Sequence, residues 1–302
     1  MRINSPLPSC RALDNQVPKL ILSIDGGGAL GIGPAAFLAQ YELHHGHNKL
    51  CEDALAGTSV GSAIVAPRAC GYVFEEIEAS FAQQAPRIFQ TPKWTWRFDP
   101  RKPKYDGVGL AKAVKHMVGL RKMNQLGIPL WIVAIDYKTG KPKVYDTSDG
   151  IPVWEAVANS CSAPTYFPPR DGMSDGGVIA NSPAMTAVAA AVSKEGWSLE
   201  DIHVLSMGTN GQFWKDPKVT ENTNKLQWGG ILLDNITKGN EALAEFQCRT
   251  ILQGRHCRIE PILRHDYGLD DVKGMAEYAQ IWKGLYTTEH GRLLEFLEGV
   301  RK

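Results

Sequence analysis

The sequence predicts a three-layer α/β/α fold around a mostly parallel central sheet. Short apolar runs of strand length alternate with helical patterns along most of the chain. This alternation is typical of βαβ units, in which parallel strands are joined by right-handed crossovers. Two of the apolar runs end abruptly in glycine-containing turns, at residues 26–28 and 57. The chain has 302 residues without a convincing domain boundary, so we expect one catalytic domain over residues 19–302.

The predicted elements follow one another after a proline-containing arm, residues 1–18, which has little periodicity and is interpreted as irregular. Apolar runs predict strands at 20–25, 54–56, 130–135, 202–206 and 258–261. Helical periodicity predicts helices at 34–43, from 61 onward, and at 153–159, 183–194, 226–252 and 271–297. We expect the strands to form the sheet and the helices to cover it.

The composition argues against several classes of protein. Lys and Arg total 33 and Asp and Glu total 32, and a formal net charge of +1 argues against a general nucleic-acid binder. No stretch reaches the roughly 18 apolar residues of a membrane span, and residues 1–19 contain no apolar signal-peptide core. Six scattered cysteines without a Cys-x-x-Cys pair are typical of reduced thiols. We therefore expect a cytoplasmic protein.

A Gly-x-Ser-x-Gly sequence at residues 57–61 is the first candidate for chemistry. It follows a predicted strand and precedes a helical pattern, as a sharp turn that exposes a nucleophilic serine requires. Gly57 and Gly61 leave room for the backbone and the substrate around Ser59, and the following helix directs its N-terminal N–H groups at the site. The pattern alone is common, so its meaning depends on the other motifs.

A glycine loop follows the first predicted strand, in the order Asp25, Gly26, Gly27, Gly28, and then Gly31. Three successive glycines between a strand and a helix can present several backbone N–H groups to an oxyanion. The same glycines match Gly-x-Gly-x-x-Gly, a dinucleotide-binding pattern. That alternative requires an acidic residue at the end of the next strand, which here runs into the serine turn instead.

Asp175, Gly176 and Gly177 form the third element. A serine nucleophile needs a base to accept its proton, and none of the eight histidines lies in an obvious active-site turn. Asp175 does lie in such a turn, and an aspartate can act directly as the base where the site desolvates or positions it. Taken alone, Asp175 is better interpreted as an ordinary turn residue, and only the other two motifs favour its role as a base.

In this order, the three motifs resemble those of the patatin-like phospholipase family. The family's patterns are Asp-Gly-Gly-Gly-x-x-Gly at 25–31, Gly-x-Ser-x-Gly at 57–61 and Asp-Gly-Gly at 175–177. Residues 158–168 are similar to the family's Ala-x-Ser-x-Ala-Pro-Thr-Tyr-Phe segment, and residues 175–183 to its Asp-Gly-Gly-x-x-x-Asn-x-Pro sequence. The tail 247–263 loosely resembles bacterial members. The matched motifs span about residues 20–183.

The resemblance implies an α/β/α hydrolase that cleaves acyl esters of glycerolipids through a Ser–Asp dyad, with no metal and no cofactor. Carried over position by position, Ser59 is the expected nucleophile and Asp175 the expected general base. Gly26, Gly27 and Gly28 are the expected oxyanion loop. The remaining motif positions are expected to support these groups: Asp25, Gly31, Gly57, Gly61, Gly176 and Gly177.

One position departs from the family's pattern. The family usually has arginine or lysine where this chain has Leu30, so a positive charge near the oxyanion loop is missing. This change is expected to weaken electrostatic stabilisation or to shift the preferred head group towards less anionic lipids. No backbone donor is lost, so we still expect activity.

Residues 85–105 form a basic and aromatic segment that interrupts the pattern. It has six Lys or Arg residues against one acid, and its prolines break helical periodicity. Its aromatic residues are Phe89, Trp94, Trp96, Phe98 and Tyr105. One interpretation is a lid or membrane-contact insertion, because basic residues and Trp suit an anionic membrane interface. The other is a surface excursion whose Trp side chains cover the core. A polar stretch between Trp214 and Trp228 is a second lid candidate.

The sequence therefore predicts a phospholipase A-type acyl hydrolase that cleaves fatty-acyl esters of membrane phospholipids through an acyl-serine intermediate. We expect it to contact the phospholipid membrane surface peripherally. Two alternatives stay open, an acyltransferase that uses the same acyl-serine and a non-catalytic nucleotide-binding module. Because an enzyme that degrades membranes endangers its host, we also expect regulation by a lid, a homo-oligomer or a small-molecule activator. The resemblance to bacterial effectors implies this regulation, and the residues name no ligand.

Overall fold

The computed structural model describes residues 17–47, 49–90, 99, 101–211, 220, 225–265 and 267–301, without the side chains of 225–231, 233 and 234. Within these residues the strands are β1 (Lys19–Ile24), β2 (Ala54–Thr58), β3 (Leu130–Asp136), β4 (Lys141–Tyr145), β5 (Met173–Asp175), β6 (Ile202–Met207) and β7 (His256–Ile259). The α-helices are α1 (Ile32–His45), α2 (Val60–Ala69), α3 (Phe74–Ile88), α4 (Val108–Val118), α5 (Val153–Ser160), α6 (Gly177–Ala180), α7 (Ala184–Lys194), α8 (Lys225–Leu252) and α9 (Met275–Arg301).

The strands form one sheet in the order β4-β3-β2-β1-β6-β7, with β5 paired to β3. Strands β3, β2, β1, β6 and β7 run parallel, and β4 and β5 run antiparallel to β3. The expected mostly parallel sheet is therefore confirmed. In such sheets ligands bind beyond the carboxyl ends of the strands, and the turns after β1 and β2 carry the glycine loop and Ser59 there.

Helices cover both faces of the sheet. Side chains of β1 alternate between the faces, because successive residues of a strand point to opposite sides. Leu20, Leu22 and Ile24 pack in the larger core with residues of α1, α2, α3, α4, α5 and α9. Ile21 packs in the smaller core with residues of α7 and α8. This arrangement is the expected three-layer α/β/α architecture.

Most predicted elements are present with slightly different ends, and several elements had no prediction. The sequence analysis assigned no element to β4 or β5 or to α3 and α4. Strand β4 is a half-exposed edge strand rich in lysine, and β5 has only three residues, so neither contains an apolar run. Edge strands and very short strands give little hydrophobic signal, and pairing with β3 is what defines both.

The basic segment begins later than predicted. Residues 85–88 form the last turn of α3, which buries Phe81, Ala85 and Ile88 at helical spacing, so Pro86 does not prevent the helix there. Tyr105 is buried and packs edge-on against Phe89 at 5.6 Å between ring centroids, so both ends of the segment belong to the core. Both lid candidates otherwise lie largely outside the described residues, including Trp94, Trp96, Phe98 and Trp214 and the side chain of Trp228.

Candidate active site

Ser59 occupies a one-residue turn between β2 and α2. Its backbone has φ 52° and ψ −127°, a left-handed conformation that residues with a side chain rarely adopt. Holding a residue in such a region costs roughly 1–3 kcal/mol, so the surrounding packing must enforce the turn. The Ser59 carbonyl accepts hydrogen bonds from the backbone N–H and the hydroxyl of Ser62, at 2.9 and 2.5 Å. The serine is therefore held at the end of β2 by the first turn of α2.

The two glycines that flank Ser59 are required by close backbone contacts. A Cβ atom at Gly57 would lie 2.4 Å from the backbone nitrogen of Ser62. A Cβ atom at Gly61 would lie 2.0 Å from the carbonyl oxygen of Ile24, at the end of β1. Helix α2 thus starts in direct contact with β1, and only glycine fits at the point of contact.

Replacement of Gly61 by alanine is expected to destabilise the fold by about 1–3 kcal/mol, because the added methyl group must push α2 away from β1. Urea denaturation followed by circular dichroism would measure the loss. Gly284→Ala is the matched control, since it lies in helix α9 with nothing within 4 Å of the added atom. An unchanged midpoint for Gly61→Ala would contradict the close packing described here.

The sheet topology brings Asp175 to Ser59. Strand β2 ends at Thr58, opposite Val133 of β3, and β5 ends at Asp175, opposite Ala134 of β3. Both strands lie on the side of β3 away from β4 and run towards each other. Two motifs that lie 116 residues apart in the chain therefore meet at one point.

Ser59 and Asp175 form a hydrogen-bonded pair. The Ser59 hydroxyl donates to Asp175 Oδ2 at 2.5 Å, and Asp175 Oδ1 accepts the backbone N–H of Gly177 at 2.7 Å. The backbone N–H of Ser59 donates to the Ser160 hydroxyl at 2.8 Å, which in turn donates to the Val133 carbonyl at 2.5 Å. Both members of the pair are thus oriented by further bonds, as a nucleophile and its base need to be.

The electrostatics of the pair suit a base at neutral pH. Asp175 is 4% exposed, and this burial raises the pKa of its carboxyl group to about 6, although hydrogen bonds from Ser59 and Gly177 oppose the shift. A carboxylate with a raised pKa accepts a proton more readily than an ordinary aspartate does. At pH 7 it is still mostly ionised, so it can take the proton of the serine.

A pH profile of acyl hydrolysis is expected to fall on the acid side with an apparent pKa of about 6, by about tenfold per pH unit below it. Protonated Asp175 cannot accept the serine proton. Because the folded-state pKa lies above the ordinary value, protonation of Asp175 does not itself unfold the chain. The measurement is kcat/KM against pH with a water-soluble ester, and full activity at pH 4.5 (about 1.5 units below that value) would contradict it.

The glycine loop lies beside this pair and is fixed by neighbouring segments. The N–H of Gly26 donates to the Asn181 carbonyl at 3.1 Å. Gly28 has φ 59°, and a Cβ atom there would lie 2.0 Å from the Leu269 carbonyl. Among the described residues, no hydrogen bond uses the backbone N–H of Gly27 or Gly28. Of the three predicted oxyanion donors, the N–H of Gly26 therefore already has an acceptor, the Asn181 carbonyl.

A buried polar network lies behind the loop, and sequence analysis missed most of it. The carboxylate of Asp25, fully buried, accepts a hydrogen bond from Arg258 Nη2 at 2.8 Å, and Arg258 also contacts Glu260 at 2.7 Å. Asn181 and Glu241 adjoin this group. Burial raises the pKa of Asp25, and the Arg258 guanidinium opposes that shift. Charged residues in the predicted strand 258–261 were the available signal, since strand interiors seldom carry them unpaired.

A cavity of about 460 Å³ opens from the pair and the glycine loop. One wall is apolar and comes mainly from α3 and α4 and the residue after α3: Phe81, Ile88, Phe89, Leu110, Ala113, Val114 and Met117. The polar part of the lining includes Asn181, Asn210 and Lys238. No histidine is among the lining residues that the structure describes. A fatty-acyl chain suits the apolar wall, and an ester group suits the polar lining residues.

Two other residues near the site, Cys161 and Leu30, are accounted for by packing. Cys161 lines the cavity, and burial raises the pKa of its thiol, so it is not a thiolate nucleophile. Leu30, which replaces the family's usual basic residue, is 2% exposed and packs in the larger core. The Leu30 side chain is thus surrounded by apolar neighbours.

Comparison with known proteins agrees with these motifs. A family model described as patatin-like phospholipase matches residues 22–188, which include Ser59 and Asp175. A cGAMP-activated phospholipase of Vibrio cholerae is 32% identical over 242 residues, covering 68% of this chain and 67% of that protein. A cGAMP-activated phospholipase of Escherichia coli is 29% identical over 241 residues, covering 70% and 67%.

Solved structures give weaker likenesses. VipD from Legionella pneumophila has a TM-score of 0.46 and 10% sequence identity, covering 90% of this chain and 67% of that one. Human GIVD cytosolic phospholipase A2 has a TM-score of 0.49 and 10% identity, covering 98% and 61%. In the part of the chain that the structure describes, none of the helices combines the length and apolarity that crossing a bilayer requires.

Proposed function

Because the chain belongs to the patatin-like phospholipase family, we propose that it hydrolyses fatty-acyl esters of phospholipids through Ser59 as nucleophile and Asp175 as base. The observation that carries the proposal is the 2.5 Å hydrogen bond from the Ser59 hydroxyl to the buried Asp175 carboxylate. The bond lies at one end of a largely apolar cavity. Nucleophile, base and acyl site are thus adjacent, as acyl transfer to serine requires.

In the acylation step, Asp175 accepts the hydroxyl proton while Ser59 Oγ bonds to the ester carbonyl carbon. The carbonyl oxygen becomes an oxyanion, for which the N–H groups of Gly27 and Gly28 are the donors that remain available. The bond to the leaving alcohol then breaks, and Asp175 returns the proton to that oxygen. The products of this step are the lysolipid and an acyl-Ser59 ester.

In the deacylation step, water replaces the alcohol. Asp175 accepts a proton from the water, whose oxygen attacks the acyl carbon, and the same oxyanion donors act again. Collapse of this intermediate releases the fatty acid, and Ser59 recovers its proton from Asp175. One aspartate thus serves both half-reactions, with its raised pKa suited to both taking and returning a proton.

Membrane phospholipid is the proposed substrate. The apolar wall formed by α3 and α4 suits a fatty-acyl chain, and polar lining residues such as Asn181 and Asn210 suit the ester and polar part of the lipid. We propose peripheral contact with the membrane, since the substrate's acyl chain must leave the bilayer to reach Ser59.

We further propose that a small molecule activates the enzyme. The support is similarity to the Vibrio cholerae and Escherichia coli proteins, which are described as cGAMP-activated phospholipases. Fatty-acid release from phospholipid vesicles, measured with and without cGAMP, tests this proposal. We expect stimulation by cGAMP, and full activity without it would overturn the regulatory part while leaving the hydrolase intact. Light scattering of the same samples tests whether a homo-oligomer accompanies activation.

The hydrolase itself is tested by two measurements on the purified chain with cGAMP present. A fluorophosphonate probe is expected to label Ser59, identified by mass spectrometry of the labelled peptide. Vesicle assays are expected to release free fatty acid. Preferential transfer of the acyl group to an added alcohol acceptor would indicate an acyltransferase. Absence of both labelling and hydrolysis would indicate a non-catalytic module.

A further inference from the structure

Helix α8 bonds to the turn 177–181 through two neighbouring side chains, and that turn in turn bonds to the glycine loop. We propose that Asn240 and Glu241 are positioning residues that fix the position of the turn 175–181 relative to the glycine loop 26–28. The inference rests on the proposed function, because it takes Ser59 as the nucleophile that these two loops serve. It concerns residues outside the three motifs from which the site was predicted.

Asn240 fixes the turn that follows Asp175. Its Oδ1 accepts the backbone N–H of Asn181 at 2.7 Å, and its Nδ2 donates to the Gly177 carbonyl at 3.0 Å. The N–H of the same Gly177 donates to Asp175 Oδ1 at 2.7 Å. A single amide from α8 therefore bridges both ends of α6, directly behind the proposed base.

Glu241 fixes the glycine loop through Asn181. Its Oε1 accepts hydrogen bonds from Nδ2 of Asn181 and from Nδ2 of Asn210, the latter at 3.3 Å. The same Asn181 Nδ2 donates to the Gly26 carbonyl at 3.2 Å, and the Asn181 carbonyl accepts the Gly26 N–H at 3.1 Å. Glu241 thus sets which way the Asn181 amide points, and Asn181 holds Gly26 on both its donor and its acceptor side.

The packing around Gly26 links this arrangement to Ser59. A Cβ atom at Gly26 would lie 2.3 Å from Asn181 Oδ1 and 3.1 Å from Ser59 Cβ. Gly26 is therefore packed tightly between the Asn181 amide and the nucleophile. A rotation of that amide would displace the loop that carries Gly27 and Gly28, and an error of about 1 Å in such a site can cost roughly 100-fold in rate.

The charge state of Glu241 gives the proposal a distinctive signature. The groups that face its carboxyl are Asp25 after β1, Arg258 on β7 and Glu260 after β7, besides the Asn181 amide. Burial, followed by the charge of Asp25, raises its pKa to about 8, while Arg258 opposes the shift. With that pKa, Glu241 is mostly protonated at pH 7 and gains a negative charge as the pH rises past about 8, next to the loop that must stabilise an oxyanion. We therefore expect the wild-type kcat to fall on the alkaline side, near pH 8.

The experiment compares Glu241→Gln with Glu241→Leu in vesicle hydrolysis with cGAMP present. Glutamine keeps a neutral side chain with an acceptor oxygen, so kcat at pH 7 is expected to stay within about 3-fold of wild type, and the alkaline fall near pH 8 is expected to disappear. Leucine removes the acceptor, and kcat is expected to drop about 100-fold with little change in KM.

Asn240→Ala is expected to lower kcat similarly, because it releases the turn behind Asp175. Asn235→Ala is the matched control on the same helix, since no described hydrogen bond joins Asn235 to either loop. Thermal melting of every variant shows whether the chain is folded. If Glu241→Leu does not fold, Asn240→Ala and the pH profile of Glu241→Gln decide the matter.

Three results would overturn the inference: wild-type kcat in Glu241→Leu or in Asn240→Ala, equal loss in Glu241→Gln and Glu241→Leu, or an unchanged alkaline fall in Glu241→Gln. Each is separate from failure of the proposed function. Labelling of Ser59 by the fluorophosphonate probe in the wild-type chain tests the function, and normal labelling combined with any of these results rejects only the positioning role of α8.

Discussion

Ser59→Ala is expected to abolish fatty-acid release and fluorophosphonate labelling, with a loss of at least about 1,000-fold in kcat. The reason is that Ser59 provides the hydroxyl that Asp175 can deprotonate, at 2.5 Å. The change removes one oxygen atom from a tightly held turn, so the fold is expected to persist. Fatty-acid release from vesicles and probe labelling measure the effect.

Ser193→Ala is the control for this substitution, since Ser193 is an exposed serine on α7 whose hydroxyl bonds only locally, to the Ala189 carbonyl at 2.7 Å. Its activity and labelling are expected to match those of the wild type. Retained hydrolysis in Ser59→Ala would exclude Ser59 as the nucleophile and redirect attention to the other hydroxyl groups near the cavity.

Asp175→Asn is expected to lower kcat by at least about 100-fold and as much as about 10,000-fold, the range typical of loss of a general base. An amide has the size of the carboxyl group and can still accept the Gly177 N–H, yet it cannot take a proton from Ser59 at neutral pH. The measurement is kcat at about pH 7, where the wild-type carboxylate of pKa about 6 is mostly ionised.

Asp171→Asn is the control, because Asp171 is an exposed aspartate four residues before Asp175. In the double variant Ser59→Ala with Asp175→Asn, activity is expected to be no lower than in Ser59→Ala alone, since groups that act as one unit are not additive. A double variant much less active than either single variant would indicate that the two residues act in separate steps.

The order of elements was largely predictable because most strands are buried on both faces. Such strands, β1 and β3 for example, are continuous apolar runs that stand out from the helices around them. Strands β4 and β5 lacked this signal. Each is defined by hydrogen bonds to β3, and no local pattern in the sequence records a pairing with a distant strand.

The candidate site was partly predictable for a related reason. The glycine loop and the Ser59 turn leave local traces, because close backbone approach at Gly57, Gly61 and Gly28 excludes any larger residue. Asn240 and Glu241 leave none, and Arg258 leaves only a charge inside a predicted strand, which does not name its partner. Their roles depend on long-range contacts with Asp25 and with Asn181, which a single sequence does not reveal.

The sequence by itself determined the alternation of strands and helices and the family to which the chain belongs, because both are recorded in local patterns of apolar residues and glycines. Only the tertiary structure decided which partners meet. The antiparallel approach of β5 to the end of β2 brings Asp175 to Ser59. The turn after α6 accepts the Gly26 N–H through the Asn181 carbonyl, whereas no described hydrogen bond uses the N–H groups of Gly27 and Gly28. The physical reason is that hydrogen bonding, burial and the pKa of a carboxyl group depend on neighbours in space.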